Sequence, residues 1–244
     1  MIRLIRSEWL KIRRSVLWLL LVISPVLAGF IGYAETRGLD RTRDFPWIEA
    51  LVIMTTLHAM LFLPLLTGVY SALLCRYEHA GGGWKQLLTL PVTRTQVYLV
   101  KFVFVMGLLA ATQVLFLVVL LLVGWIQGGG GTIPWEELLL SIGLGWLACL
   151  PLAALQLAVS TAWSSFAAPL AVNVIFTIPN LLVANSKDYA PFYPWAQPLL
   201  AMMPRSGFDF GAFTLSSATL FTVIGVSFAV FFAGGWAYFS RKAV

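Results

Sequence analysis

The sequence predicts an all-α integral membrane protein with six transmembrane helices, on three observations. Of its 244 residues 60% are hydrophobic and only 11% charged, and the mean hydropathy is positive. About a quarter of the residues of a soluble domain are charged, so a surface this poor in charge belongs in a bilayer. The apolar residues gather in blocks close to the ~20 needed for one helical crossing. The basic residues behind the net charge of +6 lie at the ends of those blocks, where Lys and Arg meet headgroups and set topology. That placement speaks against a nucleic-acid partner.

Taken in order, residues 2–14 interleave Ile2, Leu4, Ile5, Trp9, Leu10 and Ile12 with charge at helical spacing. This predicts an interfacial amphipathic helix with Arg3, Arg6, Lys11, Arg13 and Arg14 on its wet side. A secretory leader has no reason to be amphipathic in its basic region, and no small-residue cleavage site follows. Spans are predicted over 16–33, 47–75, 96–126, 134–161, 166–184 and 216–239, all within one transmembrane domain, 1–244. Pro64 should kink the second span, and Pro134 suits the first turn of the fourth. Segment 34–46 is polar and reads as an exposed loop. Segment 190–210 is broken by Pro191, Pro194, Pro198 and Pro204 but stays apolar, as outward re-entrant helices would be.

Six spans place both termini on one side. That side holds eleven Lys and Arg, in the N-terminal helix, in Arg76–Lys101 and at the C-terminus; the other side holds five. The bias places both termini, and the segment 76–94, in the cytoplasm of a cell whose inner membrane carries the chain.

Candidate chemistry is sparse. The run Gly81-Gly82-Gly83-Trp84-Lys85 lacks the spacing of a phosphate-cradling loop, and Gln86 stands where a magnesium-binding hydroxyl is needed. Glu136 and Glu137 read as acids favoured in a first helical turn. The pair also resembles the glutamates of intramembrane abortive-infection-type proteases, but the arginine and later histidines of that pattern are missing. His58, near Met54 and Met60, reads as packing rather than a copper path. Cys75 and Cys149 read as small packing residues. Gln113, Gln156, Asn173 and Asn180 could line a substrate path, although hydrogen bonding between helices is the stronger reading. No catalytic site and no metal site is expected, so the chain is not expected to be an enzyme.

The segment Arg76–Arg94 is the informative one. It reads Glu78, Gly81–Gly83, Trp84, Lys85, Leu87-Leu88, Leu90-Pro91 and Thr93-Arg94 between spans two and three, and Glu8-Trp9-Leu10-Lys11 precedes span one. The glycines allow a tight turn, Trp84, Leu87, Leu88 and Leu90 give a short helix an apolar edge, and Pro91 stops it. A lipid-facing helix with Trp84 in the aromatic belt is the other reading of that edge. In layout and in this stretch the chain resembles the permease subunit of type-2 ATP-binding-cassette exporters. It is similar in particular to small permeases of lantibiotic-immunity and bacitracin-resistance transporters.

The resemblance implies that 76–94 docks as a coupling helix in a cleft of an ATPase, and that 2–14 is an elbow helix at the inner leaflet. It further implies two copies of the ATPase, which would hold ATP and Mg, and a second permease, identical or homologous. The substrate would be an amphiphile such as an antimicrobial peptide, with lipids, small drugs and ions as the competing classes. A sensor or scaffold subunit that docks the same ATPase without transporting is the alternative.

Overall fold

A computed structural model describes residues 2–13, 15–37, 45–128, 131–204 and 211–242, and among them every regular element is helical. The expected Arg14, the side chain of Arg3, part of the first loop and residues 205–210 of the outward segment lie outside this description. The helices are α1 (Ile2–Arg13), α2 (Leu17–Thr36), α3 (Trp47–Leu57), α4 (Leu63–His79), α5 (Gly83–Leu88) and α6 (Arg94–Ile126). They continue as α7 (Trp135–Ala148), α8 (Leu150–Ala162), α9 (Ala167–Thr177), α10 (Asn180–Val183), α11 (Gln197–Met202) and α12 (Ser217–Arg241).

Five stretches are long and apolar enough to cross a membrane: Leu17–Thr36, Trp47–Leu88, Arg94–Ile126, Trp135–Ala162 and Ser217–Arg241. The stretch expected as the fifth of six spans is apolar but shorter, Ala167–Val183, and Pro179 divides it into α9 and α10. Two boundaries also move. Nothing between Cys75 and His79 breaks a helix, so α4 runs on and Glu78 belongs to it rather than to a loop. At the other side α6 starts at Arg94, where Thr93 and Gln96 form a reciprocal cap.

The kink expected at Pro64 is a wide, five-residue π turn, His58–Phe62, just before it. Proline has no N–H, so in helical register the Met60 carbonyl loses its donor. Asn180 supplies one: its Nδ2 donates to Met60 O at 2.7 Å and to Trp195 O at 2.9 Å. One turn on, Asn173 Nδ2 donates to Pro64 O at 2.9 Å, while its Oδ1 accepts from Gln156 at 3.0 Å and Trp195 at 2.9 Å. Asn173 reaches that backbone because residue 68 is glycine; a Cβ there would stand 2.3 Å from Asn173 Nδ2. Two amides thus tie α4 to α8, α9, α10 and the segment before α11.

Around this centre α2 packs on α3 and α6, α4 on α8 and α9, α11 on α7, and α12 along α8. At one end of the molecule meet α1, the end of α4, α5, the start of α6, and the ends of α8 and α12. Lys242 Nζ closes that end by donating to the final carbonyls of α8, Thr161 O at 2.7 Å and Ala162 O at 3.3 Å.

If Asn180 replaces the donor that Pro64 lacks, Asn180→Ala should cost about 1–2 kcal/mol by leaving the half-buried Met60 O without that donor. Thermal unfolding in detergent should show that loss shrink in a Pro64→Ala background, where a backbone N–H returns. An equal loss in both backgrounds would separate Asn180 from the proline.

Candidate functional site

The site grows from the turn that ends α4. Gly81 and Gly82 have φ of 60° and 76°, a left-handed conformation costly for residues with a Cβ, and they reverse the chain directly into α5. A helix of six residues does not hold itself together in isolation. Here Trp84 and Leu87 hold it, at 6% and 9% exposure. The Trp84 Nε1 donates to His79 Nδ1 at 3.2 Å, and His79 Nε2 donates to Ser160 O at 2.8 Å. An indole donor on one nitrogen and a carbonyl acceptor on the other define a neutral imidazole with its proton on Nε2. The indole ring also packs on Phe239 of α12 at 5.1 Å, with the Lys101 ammonium 5.6 Å from its centroid.

Beneath Trp84 lies a buried charge cluster. Glu8 of α1, Glu78 of α4 and Lys101 of α6 are exposed by 1%, 3% and 1%, and Lys11 of α1 closes the group from its rim. Lys101 Nζ meets Glu78 Oε2 at 2.9 Å as an ion pair and Glu8 Oε2 at 3.3 Å, and it donates to Leu74 O at 2.6 Å. Lys11 donates to Glu8 Oε1 at 2.6 Å and also to Glu78 Oε1. Two acids face two bases, so the cluster is neutral as a unit, the condition for charges to survive burial. A cation on the C-terminal end of the site completes it: Arg94 donates to Phe239 O at 3.2 Å and to Lys242 O.

Several sequence expectations change here. Trp84 and Leu87 point into the protein and cannot be the contact edge; Lys85, Gln86, Thr89, Leu90 and Pro91 are exposed instead, and Leu88 is half-buried. The chain makes the buried edge because the nearest apolar surface is its own, α4, α6 and α12. Lys11, expected on the wet side of α1 with Arg6 and Arg13, turns inward to the two glutamates, whereas Arg6, Arg13 and Trp9 are exposed. Lys101 is not a headgroup lysine but a buried one. Its signal was available, since a lone charge seven residues inside an apolar helix requires a partner. His79, Phe239 and Lys242 carried no such signal, because their roles arise only from ends meeting in space.

Gln113, Gln156, Asn173 and Asn180 are buried and used in joining helices. Gln113 Oε1 accepts from His58 Nε2 at 3.2 Å, and His58 Nδ1 lies 2.6 Å from Ser24 Oγ with its ring stacked on Phe116. Beside α5 a 230 Å³ notch opens between Arg76, His79, Ser164, Ser165 and Phe166, with Arg76 over the Phe166 ring.

These features define a polytopic helical membrane protein with a short helix pinned at one end. The chain belongs to the ABC-2 family transporter proteins, whose family model matches residues 4–180. It is thus a permease component of an ABC transporter, an integral membrane protein that associates with an ABC ATPase subunit. The match ends before α11 and α12. No curated protein matches the chain.

Lys101→Met leaves two buried carboxylates with one partner and should destabilise by about 3–5 kcal/mol. The double variant Lys101→Met/Glu78→Leu should lose less than Lys101→Met alone in detergent melting. Additive losses would show that the two side chains do not act as a pair.

Proposed function

We propose that the chain is one half of the membrane-spanning pair of an ABC exporter, coupled through α5 to a separate ATPase. The other half is a second copy or a related permease, and two ATPase subunits hold the ATP and Mg. Nucleotide-driven closure of the ATPase pair would push on α5 and release an amphiphilic substrate, such as an antimicrobial peptide, from the membrane. The chemistry of hydrolysis lies on the partner, and this chain carries no catalytic residue. The family match supports the permease role, and the motif from Glu78 to Arg94 supports the lantibiotic-immunity and bacitracin-resistance type.

The observation that carries the proposal is the construction of α5. One edge is locked into the permease by Trp84 and Leu87, while Lys85, Gln86, Thr89, Leu90 and Pro91 face away from it. A push on the free edge therefore reaches α4, α6 and α12 together, and through Glu8 and Lys11 it reaches α1. Docking then depends on the exposed edge, and transmission on the buried one.

The proposal includes six passages through a bacterial inner membrane, both termini cytoplasmic and α1 as the elbow helix. Support for the sixth passage comes from the ends. The end of α8 meets the end of α12 through Lys242, so the chain between them must travel to the far end before α12 returns. Ala167–Val183 spans roughly 25 Å at 1.5 Å per residue, slightly short of a ~30 Å hydrocarbon core. The packed segment up to α11 would complete that passage within protein.

Exchanging Lys85 and Leu90 for Glu and Asp should abolish co-purification of the cognate ATPase while the permease still inserts and melts normally. Trp84→Ala should retain much of the docking but lose substrate-stimulated ATP hydrolysis. Wild-type co-purification by the Lys85/Leu90 variant would overturn docking through this edge.

The topology makes its own prediction, because both native cysteines are buried. A cysteine at Thr89 should be closed to an impermeant maleimide in intact cells, and one at Asn185 should be open. Equal access at the two positions would exclude a passage by Ala167–Val183.

A further inference from the structure

We propose that the groove between α1, α2 and α6 binds an anionic phospholipid, with an acyl chain in the groove and its phosphate against Arg6 and Arg13. The inference requires only that the chain spans a membrane and does not depend on the ATPase-docking reading.

The groove encloses 410 Å³ and its lining is wholly apolar, including Ile5, Trp9 and Ile12 of α1, Trp18 of α2, and Val103 and Leu108 of α6. Trp9 and Trp18 meet edge to face at 6.0 Å, and both remain nearly half exposed. Tryptophan is at home at the boundary between acyl chains and headgroups, which sets the level of the groove's mouth. An apolar channel that starts at this level suits a chain anchored by a polar head.

Charge selects the head. At about 100° per residue, Ile5, Trp9 and Ile12 form one strip of α1, with Glu8 and Lys11 on one flank and Arg6 and Arg13 on the other. The acid flank is turned inward, where Glu8 is consumed by Lys11 and Lys101. The other flank presents two exposed arginines, and among the described residues neither has an ion-pair partner. A phosphate that carries net negative charge is what this flank lacks, and guanidinium groups recognise it well. A zwitterionic lipid would fill the groove without answering that charge. A second copy of the chain would bring another arginine-bearing α1 against the first.

The groove can also be closed without disturbing the protein. A Cβ at Gly107, which lines it, would meet no atom within 4 Å, so Gly107→Leu places a side chain in empty space.

The test uses the full chain in phosphatidylcholine nanodiscs, doped with phosphatidylglycerol or phosphatidylcholine bearing a diazirine on the acyl chain. Adducts are mapped by mass spectrometry. The phosphatidylglycerol probe should label residues 5–18 and 99–111 about thirty-fold more than the phosphatidylcholine probe, as expected for two basic side chains acting on one anionic head. Arg6→Gln/Arg13→Gln should bring the two probes close to parity, and Gly107→Leu should reduce labelling by both. Parity in the unaltered protein would overturn the headgroup assignment. Undiminished labelling of the Gly107→Leu variant would remove the chain from the groove. Low labelling together with cross-links between two copies through α1 would assign the groove to a second copy and overturn the proposal.

Discussion

The structure depends on keeping three charged side chains out of water in an apolar setting. Glu8, Glu78 and Lys101 come from three different helices, and each is almost fully buried. An isolated charge in that place would cost several kcal/mol, so none of the three helices can take its position without the other two. The cluster is therefore a specification as much as a bond. Together with the buried Leu4 and Ile12, it determines where the amphipathic helix α1 lies against the end of the spans. Lys11 balances the count of charges at the rim, and Arg94 and Lys242 gather the remaining helix ends around it. The same cluster explains the groove, since α1 can show its arginine flank to the membrane only because its glutamate is consumed inside.

A second constraint operates at the centre, through the backbone. Pro64 removes a donor at a depth where no water can replace it. Asn180 and Asn173 answer with side-chain donors from elements more than a hundred residues away. The π turn before the proline gives the helix room for this geometry. These amides are conspicuous in the sequence as polar residues within apolar runs, a pattern that fits a substrate path equally well. What decides between path and tie is the identity of the partner atom. A helix carbonyl orphaned by a proline is a strong claimant.

The sequence was most legible where one local property decides the outcome. The apolar blocks became helices nearly at their expected bounds, and the glycine turn and the short helix fell where their chemistry required, the helix ending at Leu88, ahead of Pro91. The fifth block shows the limit: its composition is right, but Pro179 divides it, and length alone no longer marks it as a crossing. Legibility failed for direction. Trp84, Leu87, Leu88 and Leu90 look like one apolar edge, and hydropathy cannot say whether an edge of six residues faces inward or toward a partner. Trp84 and Leu87 turned inward because Phe239, His79 and Lys101 converge there, from parts of the chain that share no pattern. Lys101 was misplaced for a related reason. Its depth, seven residues inside α6, called for a partner, but that the partners are Glu8 and Glu78 is decided only where α1 and α4 meet it.

The direction of that short helix bears on how force could pass through the molecule. A helix docked only by an exposed apolar edge would follow its partner and drag a flexible turn behind it. Here the turn is two left-handed glycines, but the helix beyond them is seated by a tryptophan that touches α4, α6 and α12 at once. The indole N–H, the fixed imidazole tautomer and the Ser160 carbonyl extend that seat to α8. Four helix ends thus share one rigid contact with α5, and the glycines are free to act as a hinge only if Trp84 leaves its site. Displacement of α5 as a body would therefore move the helix ends together. Its rotation about the glycines would instead expose Lys101 and strip the cation–π contact from a buried ammonium. The energetic asymmetry between these two motions favours translation, the motion that the proposed coupling through α5 requires.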